Sequence, residues 1–391
     1  MKELPVIGFD AKRAAQNRTG LGNYSRFVIR GLAKWVPNLR LYLFTPCAEK
    51  TNAIAGIDKL AAVTLHHPEG FFWRHFRALW RQWGVSADAA NKKVKLFHGL
   101  TGELPWGLHR KGIMSVVTIH DLIFLRYPRY YHLIDRWIYH WKFRSACCRA
   151  DRIIAVSECT KRDIMHFFGT PEEKITVVYQ GCDERFRQPV SDTIKKEVRA
   201  RYQLPEHYIL YVGSIEERKN LMLLAEALPL LKDKNLQVVA VGRRTSYANR
   251  IDAFIRSHDL TNRFRMVSGV PSVDLPVFYQ LADVFVYPSR FEGFGIPLLE
   301  ALCSGTPAIG CTGSCLEEAG GPTSLYVNPD NAQVLATAID RVQNDKELKE
   351  KMIEDGLRWA GRFQVELLTQ NILKVYCEVL HSTKPSRKDG A

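Results

Sequence analysis

The feature that most constrains the fold of this chain is an alternation that runs through both of its halves. Short apolar segments rich in Val, Ile, Leu and Phe are followed by longer stretches with helical periodicity. In the first half, residues 6–9, 41–44, 96–98, 115–119 and 152–156 read as strands, and 24–33, 73–83 and 133–149 as helices. In the second half, residues 209–212, 238–241, 265–267 and 284–287 read as strands, most with a helix behind them. Strands that alternate with helices build parallel sheets covered on both faces. A chain of 391 residues exceeds what one core organises, so two α/β units are expected. The stretch 185–201 is polar and lacks a clean strand, which places the linker there. A last helical pattern occupies 365–380, and the polar tail from 382 to 391 is expected to lack fixed structure.

Charge is distributed unevenly. Residues 1–190 hold 30 of the 55 Lys and Arg and 16 of the 41 Asp and Glu, so the whole net charge of +14 lies in that part. Such a field favours an anionic ligand or surface: nucleic acid, anionic lipid or a phosphate-bearing acceptor. No recognisable nucleic-acid module accompanies it, so no nucleic-acid partner is expected. No apolar run approaches the roughly 20 residues of a membrane span. The apolar run near Met1 is too short for a signal peptide and reads as a first strand. The nine cysteines are odd in number and scattered, as expected of reduced thiols in a cytoplasmic protein. Cys311 and Cys315 lie close in sequence, but no second Cys or His pair completes a metal site.

The stretch Arg290-Phe291-Glu292-Gly293-Phe294-Gly295-Ile296-Pro297-Leu298-Leu299-Glu300 carries the most chemistry. Pro297 suits the first turn of a helix, and Gly305 suits the left-handed position after its end. Glu292 then lies in the preceding loop and Glu300 in the helix. The turn between them offers backbone N–H groups to an anion. One carboxylate can reach a sugar ring and the other a ribose, with a phosphate held between. Taken alone, both could be exposed acids favoured by a helix N-terminus. Arg218 and Lys219 follow a strand and the turn at Gly213 and Ser214. A guanidinium and an ammonium there can stabilise a departing diphosphate. Read as a solvated pair at a helix start, they would oppose the helix dipole.

The segment from Glu292 to Glu300 resembles the E-x7-E signature of the family 4 retaining nucleotide-sugar glycosyltransferases. Val212-Gly213-Ser214 with Arg218-Lys219-Asn220 resembles that family's diphosphate loop. Thr19-Gly20-Leu21-Gly22-Asn23-Tyr24, His120-Asp121-Leu122, Val156-Ser157-Glu158, Gly305-Thr306-Pro307 and Leu325-Tyr326-Val327-Asn328-Pro329 match in the same order. Glu317 stands where the family usually has proline. The resemblance implies two Rossmann-like domains facing across a cleft (the GT-B type). Residues 1–187 would bind acceptor, 188–365 the nucleotide sugar, and the helix after 366 would return to the first domain. It further implies that Glu300 binds the ribose hydroxyls and Glu292 meets the donor sugar. Phe294, Gly295 and Ile296 would present backbone N–H groups. Gly20 and Gly22, in a loop before a helix, would lie over the donor phosphates, and His120 would lie near the sugar.

The motif variant is most similar to bacterial surface-polysaccharide mannosyltransferases. It implies a hexose, mannose from GDP-mannose, passed to a saccharide or lipid-linked saccharide. A UDP-sugar donor, a sugar-nucleotide epimerase and a non-catalytic binder are the alternatives. No DxD motif is present to hold a metal, so no metal or other cofactor is expected. Residues 71–83 mix Phe71, Phe72, Trp73, Phe76, Leu79, Trp80 and Trp83 with Arg74, Arg77 and Arg81. They read as an amphipathic helix packed on its sheet, with an interfacial membrane helix as the alternative. The latter would make the protein peripheral at the inner face of the cytoplasmic membrane, held by an anionic surface. Trp137, Tyr139 and Trp141, among Arg136, Lys142, Arg144 and Arg149, raise the same question.

Overall fold

The computed structural model describes residues 5–17, 19–36, 38–47 and 52–382. The tail beyond residue 382 lies outside them. The chain divides into two compact units, Met1–Gly181 with Val365–Ala391, and Cys182–Gln364.

The first unit is built on seven strands: β1 (Val6–Asp10), β2 (Arg40–Phe44), β3 (Val63–His66), β4 (Leu96–Gly99), β5 (Met114–Ile119), β6 (Arg152–Ala155) and β7 (Ile175–Val177). They run parallel in the order β3-β2-β1-β4-β5-β6-β7. The central strands are buried along their whole length, β5 included, which is why their sequences are mostly apolar rather than alternating, with His98, Ser115 and Thr118 as buried polar exceptions. Phe9, Val28, Ile29, Leu32, Ile372 and Val375 pack one face of the sheet. Trp80, Phe97, Val117, Ala146, Cys147 and Ile164 pack the other. The helix Val365–His381 thus belongs to the first unit's core, although the whole second unit precedes it in the chain.

The second unit has six strands: β8 (Tyr208–Val212), β9 (Gln237–Val241), β10 (Phe264–Val267), β11 (Val284–Tyr287), β12 (Ala308–Cys311) and β13 (Leu325–Val327). Their order is β10-β9-β8-β11-β12-β13, again all parallel. In each sheet the strand order reverses once, between β1 and β4 and between β8 and β11. Ligands of open α/β sheets bind beyond the carboxyl ends of strands at such a reversal.

Several local expectations need correction. The polar stretch 185–201 is not a bare linker, since Asp192–Tyr202 is a helix. It buries little but Val198, and its single apolar position leaves no periodic stripe to read. Its end is fixed in the second unit by Tyr202 and Arg201, which both bond Asp274. The helix expected from residue 24 starts at Gly20, so Gly20 and Gly22 lie in its first turn rather than in a loop before it. Residues 71–83 are not one packed helix. A helix spans Phe71–His75, the chain breaks at Phe76 (φ −100°, ψ 54°), a single turn covers Arg77–Leu79, and a wider π turn covers Trp80–Gly84. Of the aromatic stripe only Trp80 is buried, where its indole N–H donates to Asp88. The short strands β3, β7, β12 and β13 were not read from sequence. Each has three or four residues; Thr64, His66, Thr176 and Gly310 interrupt the apolar pattern of the first three, and β13 is only the three residues Leu325–Val327.

Candidate functional site

In the second unit the expected residues converge at the strand-order reversal. β8 ends at Val212 and hands the chain to Gly213 and Ser214. A 3-10 turn, Glu217–Lys219, follows. Asn220 then takes a left-handed conformation (φ 55°) before the helix Leu221–Ala227. Arg218 and Lys219 are therefore outside that helix, and the dipole argument does not apply to them. Gly213 lies against the Lys219 side chain. A Cβ at Gly213 would stand 3.2 Å from Nζ and 3.1 Å from the Tyr211 hydroxyl. The Arg290 N–H donates to the Arg218 carbonyl at 3.0 Å, and the Arg218 guanidinium donates to the Phe291 carbonyl. These bonds stitch the loop after β8 to the loop after β11.

Glu292 sits at that seam. Its Oε1 lies 2.9 Å from Arg218 Nη1 and 4.0 Å from Lys219 Nζ. The same oxygen accepts from the Tyr287 and Ser289 hydroxyls, each at 2.9 Å. Tyr287 in turn accepts from Lys219 Nζ at 3.1 Å. Burial alone would raise the Glu292 pKa. Arg218, Lys219 and the two hydroxyls outweigh it and hold the carboxyl at about 2. Arg218 also reaches Glu216 at 4.0 Å, and Arg243 meets that carboxylate at 3.8 Å. Three cations against two carboxylates leave this cluster net positive, the balance an anion needs.

The helix Ile296–Cys303 begins as its sequence predicts. Pro297 is in its first turn, Gly295 stands before it at φ 111°, and Gly305 follows its end at φ 72°. A Cβ on Gly295 would also meet Leu316 at 2.7 Å, so glycine is required there on both counts. The first intrahelical bond runs from Leu298 to the Gly295 carbonyl. The N–H groups of Gly295 and Ile296 thus precede the helical ladder and Pro297 has none, which makes this turn the donor end. The Phe294 ring packs on Phe363 at 5.5 Å between centroids, leaving only its backbone for a ligand. Glu300 accepts from the Tyr279 hydroxyl at 2.9 Å. Burial pushes its pKa up to about 7, with Asp183 adding to the rise and Tyr279, Arg185 and Lys219 opposing it. The two glutamates thus differ sharply. Glu292 is a fixed anion, whereas Glu300 is poised near neutrality.

In the first unit Gly20 and Gly22 open the helix Gly20–Trp35 behind Thr19. A Cβ at Gly22 would fall 1.9 Å from the Asn17 carbonyl oxygen, so the second glycine is fixed by the approach of its own loop. Gly20 has open space where a Cβ would lie. Tyr24, one turn on, meets the His120 ring edge-on at 4.6 Å. His120 follows β5, and both its ring nitrogens are engaged. Nε2 lies 2.9 Å from the Leu100 carbonyl, which can only accept, so Nε2 carries the proton. Nδ1 then accepts from the Gln180 amide at 2.9 Å. Burial lowers the His120 pKa to about 4 against the opposing pull of the Leu100 bond, so the ring is neutral at pH 7. Asp121 caps the next turn by accepting from the Ile123 N–H at 3.1 Å. Ser157 caps the helix Glu158–Phe168 through the Thr160 N–H, and the Thr160 hydroxyl holds the His120 carbonyl at 3.1 Å.

Sequence reasoning overlooked most of the supporting groups. Tyr287 and Ser289 stand two residues apart on one side of the chain leaving β11, directly ahead of Glu292. That period-2 placement was a readable signal. Gln180, Tyr279 and Cys315, whose thiol lies 2.9 Å from the Glu292 carbonyl, are distant in sequence and gave none. Also overlooked was a buried relay beside His120. Tyr376 of the last helix meets His98 at 2.6 Å, His98 meets Thr118 at 2.8 Å, and Thr118 meets Tyr24 at 3.1 Å.

Comparison with known proteins bears on the whole arrangement. Residues 19–186 match the Glycosyltransferase Family 4 model, and residues 194–359 match the model of Glycosyl transferases group 1. The chain is 29% identical over 289 residues to O-antigen chain mannosyltransferase B of Escherichia coli, covering 73% of this chain and 74% of that one. It is 28% identical to O-antigen chain mannosyltransferase RfbU of Salmonella typhimurium, over 59% of this chain and 61% of that protein. Its fold matches that of Anabaena HepE, solved with UDP and glucose, at a TM-score of 0.76 and 18% identity, over 96% of this chain and 100% of that one. With both units matched and the strand-end residues gathered as described, the chain belongs to the family 4 glycosyltransferases: a nucleotide-sugar glycosyltransferase built on two Rossmann-like units, the GT-B fold.

Proposed function

We propose that the protein is a retaining mannosyltransferase that moves mannose from GDP-mannose to a saccharide or lipid-linked saccharide hydroxyl. The observation that carries this reading is the convergence of Arg218, Lys219, Tyr287 and Ser289 on one oxygen of Glu292. In it, Arg218 and Lys219 receive the donor diphosphate and stabilise the charge that grows as the glycosidic bond breaks. The N–H groups of Gly295 and Ile296 add a second set of donors to phosphate and sugar. Glu292 Oε2 accepts from a donor-sugar hydroxyl, and Glu300 accepts from the ribose. His120, neutral and with both nitrogens occupied, is held by Leu100 and Gln180 and has no free nitrogen to abstract a proton. The acceptor hydroxyl attacks from the face the diphosphate leaves, and the leaving phosphate oxygen takes its proton. The anomeric bond to phosphate breaks as the bond to the acceptor oxygen forms, so configuration is retained. The two cations perform the charge neutralisation, and we propose catalysis without a bridging metal. The mannosyl assignment draws on the names of the two O-antigen relatives.

The test is a donor screen with the full chain and a panel of saccharide acceptors, in the presence and absence of a chelator. It follows nucleoside diphosphate release and the anomeric configuration of the product. GDP-mannose should turn over fastest, with retention and with no loss to the chelator. Preference for a UDP-sugar would overturn the donor. Inverted product would overturn the mechanism.

A further inference from the structure

We infer that the first unit docks on an anionic bilayer surface through a patch of exposed aromatics formed by residues 71–83 and the helix Leu133–Arg149. Eight of the nine residues from 71 to 79 are exposed, Phe71 by 82%. Phe72, Phe76, Leu79 and Trp83 are exposed with it. The helix Leu133–Arg149 buries only Ala146 and Cys147, and exposes Leu133 (77%), Ile134 (74%), Trp137 (72%) and Trp141. The two segments are held side by side. Glu103 takes Arg81 Nη1 of the first at 2.9 Å and Lys142 Nζ of the second at 3.7 Å. The Trp106 N–H donates to the Gln82 carbonyl, next to Trp83, and the Trp106 ring lies 6.3 Å from that of Trp141.

Aromatics with Arg also occur at protein interfaces, so the net charge of the part of the chain that carries the patch chooses the occupant. Here basic residues are interleaved with the aromatics: Arg74, His75 and Arg77 in one segment, Arg136 and Arg144 in the other. Mixed Trp, Phe and Arg suit the boundary between headgroups and acyl chains, where rings enter the apolar layer and cations stay with phosphate. The part of the chain up to residue 190 also carries the entire net charge of +14, complementary to anionic lipid. Arg81, an obvious candidate from sequence, takes no part. Its guanidinium is turned inward onto Asp10 at 2.8 Å and onto Glu103. The inference stands independently of the donor and acceptor assigned above.

The test is co-sedimentation of the full chain with vesicles of phosphatidylglycerol in phosphatidylcholine, and with phosphatidylcholine alone, at low and at physiological salt. The wild type should bind the anionic vesicles, lose affinity as salt rises, and ignore the neutral ones. Replacing Phe71, Phe72 and Trp137 together by Ser should weaken partitioning at least about tenfold. Arg74→Gln with Arg144→Gln should weaken it about 25-fold, at about fivefold for each charge. Both variants should keep the wild-type melting temperature and nucleotide affinity, which shows that they fold. A wild type that stays in the supernatant with anionic vesicles at low salt overturns the inference. So does a triple Ser variant that binds like the wild type. Self-association in solution that the triple variant abolishes, without vesicle binding, would assign the patch to a second copy of the chain instead.

Discussion

Glu300 offers the sharpest test of the site, because its ionisation falls within the working pH range. If the ribose hydroxyls are held by its carboxylate, only the ionised form offers two acceptor oxygens. With a pKa of about 7 in the free protein, about one molecule in eleven is ionised at pH 6 and about ten in eleven at pH 8. Affinity for the nucleotide sugar should therefore rise by up to about tenfold between those values, with release of up to one proton near pH 6. The nucleotide sugar itself is a diphosphate diester with no titrating group there. His120 stays neutral throughout, and Glu292 stays ionised. Glu300→Gln should flatten the profile and abolish the proton release, leaving an affinity near that of the wild type at low pH. Isothermal calorimetry in two buffers of different ionisation enthalpy reads both quantities. Stability should move the other way. A folded pKa above the ordinary 4.5 gives a contribution complete below 4.5 and lost as pH rises through 7, so the free protein should melt lower at pH 8 than Glu300→Gln does. An unchanged pH slope in Glu300→Gln would refute the assignment of the ribose to this carboxylate.

Three further outcomes follow from the same geometry. Arg218→Ala and Lys219→Ala should each lower turnover by about two to three decades in a donor-consumption assay while the thermal transition persists. Glu292→Gln should lower turnover yet tighten nucleoside diphosphate binding in calorimetry, because the amide relieves Arg218 and Lys219 of their counter-charge; weaker binding would contradict that account. Arg81→Gln should cost about 3 to 5 kcal/mol by leaving the buried Asp10 carboxylate without its counter-charge. That would lower the melting temperature of the first unit by about 6 to 12 °C, and calorimetric scanning would show it.

The architecture was legible because buried parallel strands announce themselves as continuous apolar runs, as residues 238–241 of β9 and β11 do. The segment from Glu292 to Gly305 was legible for a different reason. Pro297, Gly295 and Gly305 each satisfy a backbone requirement that few other residues meet, so the turn and the helix could be placed from the sequence. What stayed hidden depends on contacts distant in sequence. Nothing near His120 shows that Leu100 and Gln180 occupy its nitrogens. The composition of residues 71–83 reads first as a packed helix, and the break at Phe76 overturns that reading. Arg81 shows the same limit. Composition grouped it with Arg74 and Arg77, whereas Asp10 at the end of β1 draws it inward.

The helix Val365–His381 has a consequence for how the polypeptide is made. Ile372, Val375, Tyr376 and Val379 fill the first unit's core beside Phe9, Val28 and Ile29, yet they leave the ribosome only after the whole second unit. Residues 182–364 form a continuous segment that can close on itself as it emerges. The earlier residues must wait, at usual synthesis rates, on the order of ten seconds or more for their final layer. During that interval an apolar face of the first sheet stands open. The first unit is thus begun before the second and completed after it, and nascent chains stopped short of residue 365 will present that face to chaperones.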